Sequence, residues 1–521
     1  MRKLIEKRIG AVIPFRRILY SICFCAFCVI DQRIRTAYGG NGWLETFRDL
    51  TGVVMAVLIL SHYRSDDFRK WKIPYLLWTV AGIIGGIAAF LWGMKNQRSM
   101  NDWTVIILDV FLFGYIGIHM VIDFAVEKKR VKLNRKYACV WLLMMLLMIF
   151  SKSDLVWPVF YLIMFGCFYL TDYDKAEREE LLQGMLDGII LSFFLLQGLA
   201  FVFRPYDEVR YKGIYFNTNT NALFYVEVLA AVLSKLLYTV RKNACKWLKL
   251  YYWLGAGVVL AFLFMTVGRM GWVTAFILIL VFLWAGKAGE FKRGILKRGL
   301  ILVLCACLTF PLCFGAARYL PPLFHHPIWY GNEWNENRVH SWDPWDSEKY
   351  VSLDELMEFA LGRIWGSIGI LLDHSPFMLN ADAAESQEGA ISPVDDAKVS
   401  MDERMRIYKY YASHLTLWGN AKKENGEWGY HGHNIFLQFG TDFGIVALGV
   451  FVILYGWGLI LFIRRFRRDR DEEHIVWLLF FLITLLHGLM ENVWGAGSIT
   501  VLMMFFAWGS IIRLDTGKES D

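Results

Sequence analysis

The sequence predicts an all-α polytopic membrane protein with about fourteen transmembrane helices and one long polar loop on the outer side; twelve is the count without the two weakest. Three observations predict this class. The chain has 521 residues, 56% of them apolar and 16% aromatic. That is about 290 apolar residues, close to what fourteen spans of about twenty would use. Long apolar runs recur from end to end, and the basic residues alternate between the loops that separate them. A water-soluble domain has too little interior for so much apolar surface. A soluble enzyme, a disordered chain and a disulfide-rich secreted domain are therefore excluded, and no nucleic-acid partner is expected.

In order, the runs lie near 12–30, 44–62, 73–93, 103–125, 137–150, 154–171, 181–203, 219–239 and 250–267, then near 270–286, 299–317, 441–463, 475–490 and 496–512. The first two are the weakest, each with an apolar core of about thirteen residues rather than about twenty. The first follows Arg16-Arg17 as a signal sequence would, yet no small-x-small cleavage site comes after it, so it reads as an uncleaved span. With the N-terminus inside, Lys and Arg of the inner segments outnumber those of the short outer loops by about three to one. They include Lys128-Lys129-Arg130, Lys292-Arg293, Lys297-Arg298 and the cluster Arg464, Arg465, Arg467, Arg468, Arg470. The alternation holds throughout, which predicts that both termini are cytoplasmic.

The nine cysteines fall in apolar runs or inner loops. Cys23, Cys25 and Cys28 share one helix with metal-like spacing, but packing is the expected role. No outer loop holds a cysteine pair, so no staple is expected there.

The stretch from Arg318 to His433 is polar and free of cysteine. It carries Trp329, Trp334, Trp342, Trp345, Trp365, Trp418 and Trp428. Leu353–Leu372 and Asp402–Leu417 read as amphipathic helices, with an acidic linker at Asn380–Val399 between them. So long a loop between membrane helices suits a lid or substrate cover, and its tryptophans suit stacking on sugar faces. A passive cap with interfacial tryptophans is the alternative.

Polar residues gather at the outer helix mouths. Arg204, Arg210 and Lys212 follow the seventh run, and Arg269 sits in a very tight turn between two spans. A charge there needs an anionic partner, either a lipid headgroup or a bound diphosphate, whose oxygens match a guanidinium fork. His431 and His433 close the long loop. They could be half of a zinc site, with His325, His326, His340, His374 and His414 as further outer histidines, but no ligand spacing links these. A histidine near its ordinary pKa also suits a general base for a sugar hydroxyl. Asp109, Asp187, Glu227, His487 and Glu491 are ionisable groups within or beside spans and are candidates by that fact alone. Glu491 and Asn492 lie on the outer side.

Four segments carry a resemblance. His433-Asn434, nine residues, then Gly444 resembles the histidine motif of the O-antigen ligase and polymerase family. Arg210-Tyr211-Lys212-Gly213, followed by Asn217-Thr218-Asn219, resembles its Arg-x-x-Gly and Asn-Pro-Asn elements. Gly268-Arg269-Met270-Gly271 resembles its Ser-Arg-Gly turn, and Arg404 to Tyr408 through Gly419 the segment before the histidine motif. They span roughly residues 205–455, in the family's order. Thr218 stands where the family has proline, Gly268 where it has serine, and Ala447 where a second glycine often follows.

The resemblance implies a GT-C-like fold and a division into an N-terminal transmembrane scaffold (1–204), a ligase/polymerase-like transmembrane part (205–317), the long extracytoplasmic loop (318–433) and C-terminal helices (434–521). It implies a bacterial inner-membrane glycosyltransferase acting on undecaprenyl-diphosphate-linked oligosaccharide outside the membrane, inverting and metal-independent, with no cofactor. The acceptor would be a glycan or a lipid-linked glycan, membrane lipids would surround the site, and a chain-length regulator is a compatible partner. His433 would be the catalytic base or acceptor-orienting group, with Arg210, Arg269 and Lys212 on the diphosphate. His431, Asn434, Glu491, Arg404 and Asn219 would support them. A polymerase is favoured over a ligase, since nothing in the chain is tied to a lipid-A core acceptor. Two other readings compete. A metal-dependent lipid-phosphosugar transferase could use Asp31, Glu45 or Asp49, though these form no paired acidic motif. A lipid-linked glycan flippase would need repeated halves, which the chain lacks.

Overall fold

The computed structural model describes residues 14–31, 50–63, 65–96, 100–126, 133–151, 156–170, 175–203, 206, 209–213, 218–242, 244–285, 294–324, 351–373, 404–420, 433–469, 472–490 and 498–513. Among these residues the chain is helical with no strand, and a single isolated bridge joins Leu133 to Arg513. Besides a short helix at Ser65–Lys70 and π-helical turns at Ile122–Val126 and Phe165–Tyr169, the helices are α1 (Phe15–Asp31), α2 (Thr51–His62), α3 (Lys72–Lys95), α4 (Met100–Val121), α5 (Arg135–Ile149), α6 (Val156–Met164) and α7 (Lys175–Phe203). They continue as α8 (Thr218–Arg241), α9 (Lys246–Met265), α10 (Arg269–Ala285), α11 (Ile295–Phe324) and α12 (Leu353–Asp373). The remainder are α13 (404–413), α14 (Ile435–Phe443), α15 (Ile445–Asp469), α16 (Glu472–Gly488) and α17 (Ile499–Ile512).

Each predicted run is mainly helical over its described residues. Among the described residues, seven helices, α3, α4, α7, α8, α9, α11 and α15, are long and apolar enough to cross a membrane. Helix α3 shows what surrounds the bundle. Ile73, Leu76, Leu77, Ile83 and Ile84 are each more than half exposed. Apolar side chains arrayed around a helix of membrane length suit a hydrocarbon solvent rather than water. This is an all-α, multi-pass membrane architecture.

The centre of the bundle is α8, whose residues from Phe224 to Leu237 are all buried and which packs on α7, α9, α10 and α16. Close approach of α1 and α7 depends on two glycines. A Cβ on Gly188 of α7 would lie 2.5 Å from the Ser21 carbonyl oxygen of α1, and one on Gly184, a turn away, 2.5 Å from Tyr20 Cβ. This is the small-xxx-small contact that lets backbones touch in a membrane. Cys23, Cys25 and Cys28 are buried on α1, and none of the nine cysteines is disulfide-bonded.

The end of the bundle holding the start of α7 and the end of α8 is tied by charge. Asp187 accepts from Arg17 Nε at 2.8 Å and NH2 at 2.5 Å, and from Lys235 Nζ at 2.5 Å. Arg16 meets Glu177 at 2.9 Å, and Arg241 meets Glu472 at 2.8 Å. Asp187 therefore holds two cations in the fold. Glu227 accepts from Thr500 Oγ1, His487 is buried on α16, and the Asp109 carboxylate lies against Gly52.

Three boundaries differ from expectation. The run near 441–463 extends back to Ile435 and is two helices, because Gly444 adopts φ 96° and ends α14. Helix α11 continues to Phe324, past the boundary expected at 317, with Pro321 and Pro322 buried in its last turn. Helix α13 stops at 413 instead of Leu417. Residues 415–420 leave the helix to bond the α14–α15 corner, where Ile445 N donates to Thr416 O and Asn420 N to Thr441 O, each at 2.9 Å. The expected linker at Asn380–Val399 and Trp329, Trp334, Trp342, Trp345 and Trp428 lie outside the described residues.

Candidate functional site

The opposite end of the bundle gathers the motif residues. Residues 209–213 join α7 to α8 and are anchored at Tyr211, which is buried. Tyr211 N donates to Met265 O at 2.9 Å, its hydroxyl accepts from Gln197 Nε2 at 2.6 Å, and its carbonyl accepts from Asn221 Nδ2 at 3.2 Å. Arg210 is thereby held over the C-terminus of α9. Its Nε donates to Thr266 O at 3.3 Å and its NH2 to Asn219 Oδ1 at 2.9 Å. Two candidates, Arg210 and Asn219, are thus partners. Lys212 stands two residues along the same segment, half-buried.

Arg269 opens α10 after a turn of three residues. Val267 in that turn is fully buried at φ 49°, a left-handed conformation that a β-branched residue rarely adopts. Its N–H closes on Phe264 O at 3.0 Å, and Gly268 N bonds Thr266 Oγ1 at 3.2 Å. Gly268 and Gly271 flank the arginine because both press on α8. A Cβ on either would lie 3.0 Å from Ala222 Cβ. Glycine at 268, where the family pattern has serine, fits this close approach.

The structure adds a residue that the sequence did not single out. Arg363 on α12 is only 7% exposed, with its guanidinium 5.0 Å from the Phe359 ring. Burial pushes its pKa down to about 10, and the charges of Arg210, Arg269 and Arg404 push the same way. Arg404, at the start of α13, acts likewise on Arg269. Cations from three other segments, Arg210, Arg269 and Arg404, therefore all act on the buried Arg363. Arg318, buried on α11, helps set this geometry by donating to Val351 O, while Val351 N bonds Tyr206 O at 3.2 Å. That pairing fixes the start of α12 against the Arg210 segment.

His433 immediately precedes the cap of α14 and adopts φ 43°. Asn434 is the cap itself. Its Oδ1 accepts from Phe436 N at 2.9 Å and Leu437 N at 3.1 Å, and its Nδ2 donates to Leu489 O at 2.9 Å. Asn434 therefore shapes the turn that presents His433. The His433 carbonyl accepts from the Tyr408 hydroxyl at 3.1 Å. Tyr408 is one helical turn from Arg404, so the two share a face of α13. The histidine and the arginine cluster are thus joined through one short helix.

Below them, Gly444 and Gly419 interlock. A Cβ on Gly444 would lie 2.2 Å from Leu417 O, and one on Gly419 2.1 Å from Asp442 O. Tyr411, on α13 above this corner, has its pKa pushed up to about 12 by burial and then by Asp442 and Tyr410. The candidates His431, Glu491, Asn217 and Arg204 lie outside the described residues. Among the described residues, no three His, Cys, Asp or Glu side chains gather as a metal-binding group.

Comparison of the chain with protein families, with curated proteins and with solved structures gave no match.

Proposed function

We propose that this chain is a membrane glycosyltransferase that moves glycan from an undecaprenyl-diphosphate carrier to an acceptor hydroxyl at the outer face of the membrane, as a polysaccharide polymerase in preference to a ligase. One observation carries the reading: the charges of Arg210, Arg269 and Arg404 all bear on the buried Arg363, and Arg404 shares α13 with Tyr408, which bonds the His433 carbonyl. Converging guanidiniums repel, and a multiply charged anion between them relieves that repulsion. A diphosphate carried on a lipid suits both the charge and the position at a helix mouth.

In this reading the acceptor oxygen bonds to the anomeric carbon as the bond from that carbon to the diphosphate oxygen breaks, with inversion. Negative charge grows on the leaving diphosphate, where the arginines are already set, and each such contact is worth about 10²–10³ in rate if it acts like an oxyanion-hole donor. His433 takes the acceptor proton late in the step, worth about 10²–10⁴. Arg269, Arg210 and Lys212 are the proposed phosphate ligands, carried over from the motif resemblance. The lean to polymerase and the metal independence rest on the motif resemblance.

The test uses purified protein in detergent, synthetic undecaprenyl-diphosphate oligosaccharide and EDTA, with product length read on a gel for wild type and His433→Ala. Laddered products that vanish in the variant are expected. A single band requiring an added acceptor would indicate a ligase. No turnover on any lipid-linked donor, or turnover indifferent to the His433 change, would overturn the mechanism.

A further inference from the structure

We propose that Tyr408 is a positioning residue that couples filling of the arginine cluster to the orientation of His433; this rests on the reading above and assigns a control step within it. The argument begins with the His433 backbone. At φ 43° it occupies a conformation that non-glycine residues rarely take, and such conformations persist only where their surroundings hold them. Two of the contacts around it bear on its backbone. Asn434 pins the residue after it by capping α14 and bonding Leu489 O, and Tyr408 pins its own carbonyl at 3.1 Å.

These contacts differ in what they are attached to. Asn434 ties the turn to α14 and α16, both parts of the bundle. Tyr408 ties it to α13, which also carries Arg404 one turn away. The Tyr408 hydroxyl has one proton and three acceptors in reach, His433 O at 3.1 Å, Leu489 O at 3.3 Å and the weakly accepting Met490 Sδ at 3.6 Å. Leu489 O already accepts from Asn434 Nδ2 at 2.9 Å, which leaves His433 O as the better acceptor for Tyr408.

Arg404 is repelled by Arg269 and Arg363. A diphosphate seated among them turns that repulsion into attraction and draws α13 towards α10 and α12. Through Tyr408 the same movement bears on the His433 carbonyl, and so on the direction of the imidazole. The base is then brought to bear when donor is present, and loss of the hydroxyl alone should slow the chemical step without weakening donor binding.

The test compares wild type, Tyr408→Phe and Arg404→Gln as full-length protein in detergent. Initial rates are taken against undecaprenyl-diphosphate oligosaccharide, and hydrogen exchange of the backbone at 433–437 is followed with and without inorganic diphosphate. For Tyr408→Phe the expectation is a roughly tenfold fall in kcat, the scale of one hydrogen bond, with donor KM within about twofold. Arg404→Gln should raise donor KM instead. Inorganic diphosphate should slow exchange at 433–437 in wild type and leave Tyr408→Phe unaffected. If wild type turns over and Tyr408→Phe matches it, or loses kcat and KM together with a lower melting temperature, the coupling is overturned and the glycosyltransferase reading stands. If wild type does not turn over, that reading fails, and the exchange result decides the coupling alone. Protection in wild type that is lost in Tyr408→Phe supports it, and no protection in wild type overturns it.

Discussion

Replacing Arg363 by glutamine should make the empty protein more stable and its response to diphosphate weaker, a combination that a merely structural arginine cannot give. The magnitude follows from the displaced pKa. A fall from the ordinary 12.5 to about 10 corresponds to about 3 kcal/mol at 1.36 kcal/mol per unit. Solvent screening at the edge of the bundle reduces this to roughly 1–2 kcal/mol. The sign is that of a disfavoured cation. The penalty is fully present below pH 10 and fades only as pH climbs through about 10 towards 12.5, where the folded form loses its proton before the unfolded one. At neutral pH the substitution removes it. Loss of the contact over Phe359 takes back about 0.5–1 kcal/mol, leaving a net gain near 1 kcal/mol. In a chain this long that is about a degree or two of melting temperature. The assay is thermal unfolding in detergent at low salt, with and without inorganic diphosphate. Wild type at saturating diphosphate should rise by several degrees, since a ligand at about 100 times its Kd adds about 2.7 kcal/mol. Arg363→Gln should start higher and rise less. A variant that melts below wild type while keeping the full diphosphate shift would refute the reasoning.

Other substitutions test the frame around the site. Gly444→Ala must seat a Cβ 2.2 Å from Leu417 O at φ 96°, so it should melt well below wild type or fail to accumulate folded. Gly449→Ala, with open space around it, should be neutral or gain about 0.5–1 kcal/mol. Asn434→Ala removes the α14 cap and should cost about 1 kcal/mol, seen as faster hydrogen exchange at Phe436 and Leu437. Asp187→Asn leaves Lys235 and Arg17 facing a neutral amide. Because the Asp187 side chain is 30% exposed, about 2 kcal/mol of destabilisation is expected rather than the ~3–5 of a fully buried pair. A melting temperature equal to wild type would show that solvent already screens the cluster.

The sequence made the helical frame legible because membrane solvent enforces it. Each span must be apolar and must satisfy its own backbone, so composition alone marks it. The arginines beside backbone turns were legible too. Arg269 stands where a charge has no loop to carry it into water, and Arg210 and Arg404 belong to motif segments. Arg363 was not legible, because on an amphipathic helix such as α12 an arginine has the pattern of a solvated face. Only the docking of α12 through Val351 and Tyr206 buries it. The break at Gly444 was hidden for a similar reason. The residues on both sides of it are apolar, so the run reads as continuous, while the turn depends on a backbone angle and on contact with Leu417. Tyr408 lay inside a recognised segment, but its partner is a main-chain carbonyl, which no side-chain pattern reveals.

The position of α8 has a consequence for how the protein is made. This helix carries Glu227 and Lys235, and its neighbours shield both from lipid. One of those neighbours, α7, leaves the ribosome before it, and α9 and α10 follow soon after. The helix that covers a further side, α16, begins only at Glu472, and Thr500, which donates to Glu227, comes later still. During synthesis α8 therefore sits with one flank uncovered while more than two hundred residues are added. By contrast, α3 and α4 bond each other directly, Trp78 to Phe111 O at 2.9 Å and Trp103 to Ala89 O at 2.6 Å, and can pair as soon as both are inserted. Biogenesis thus has an early, self-sufficient hairpin and a late-closing centre. The interval before α16 arrives is when the nascent chain depends most on whatever shelters it at the insertion machinery.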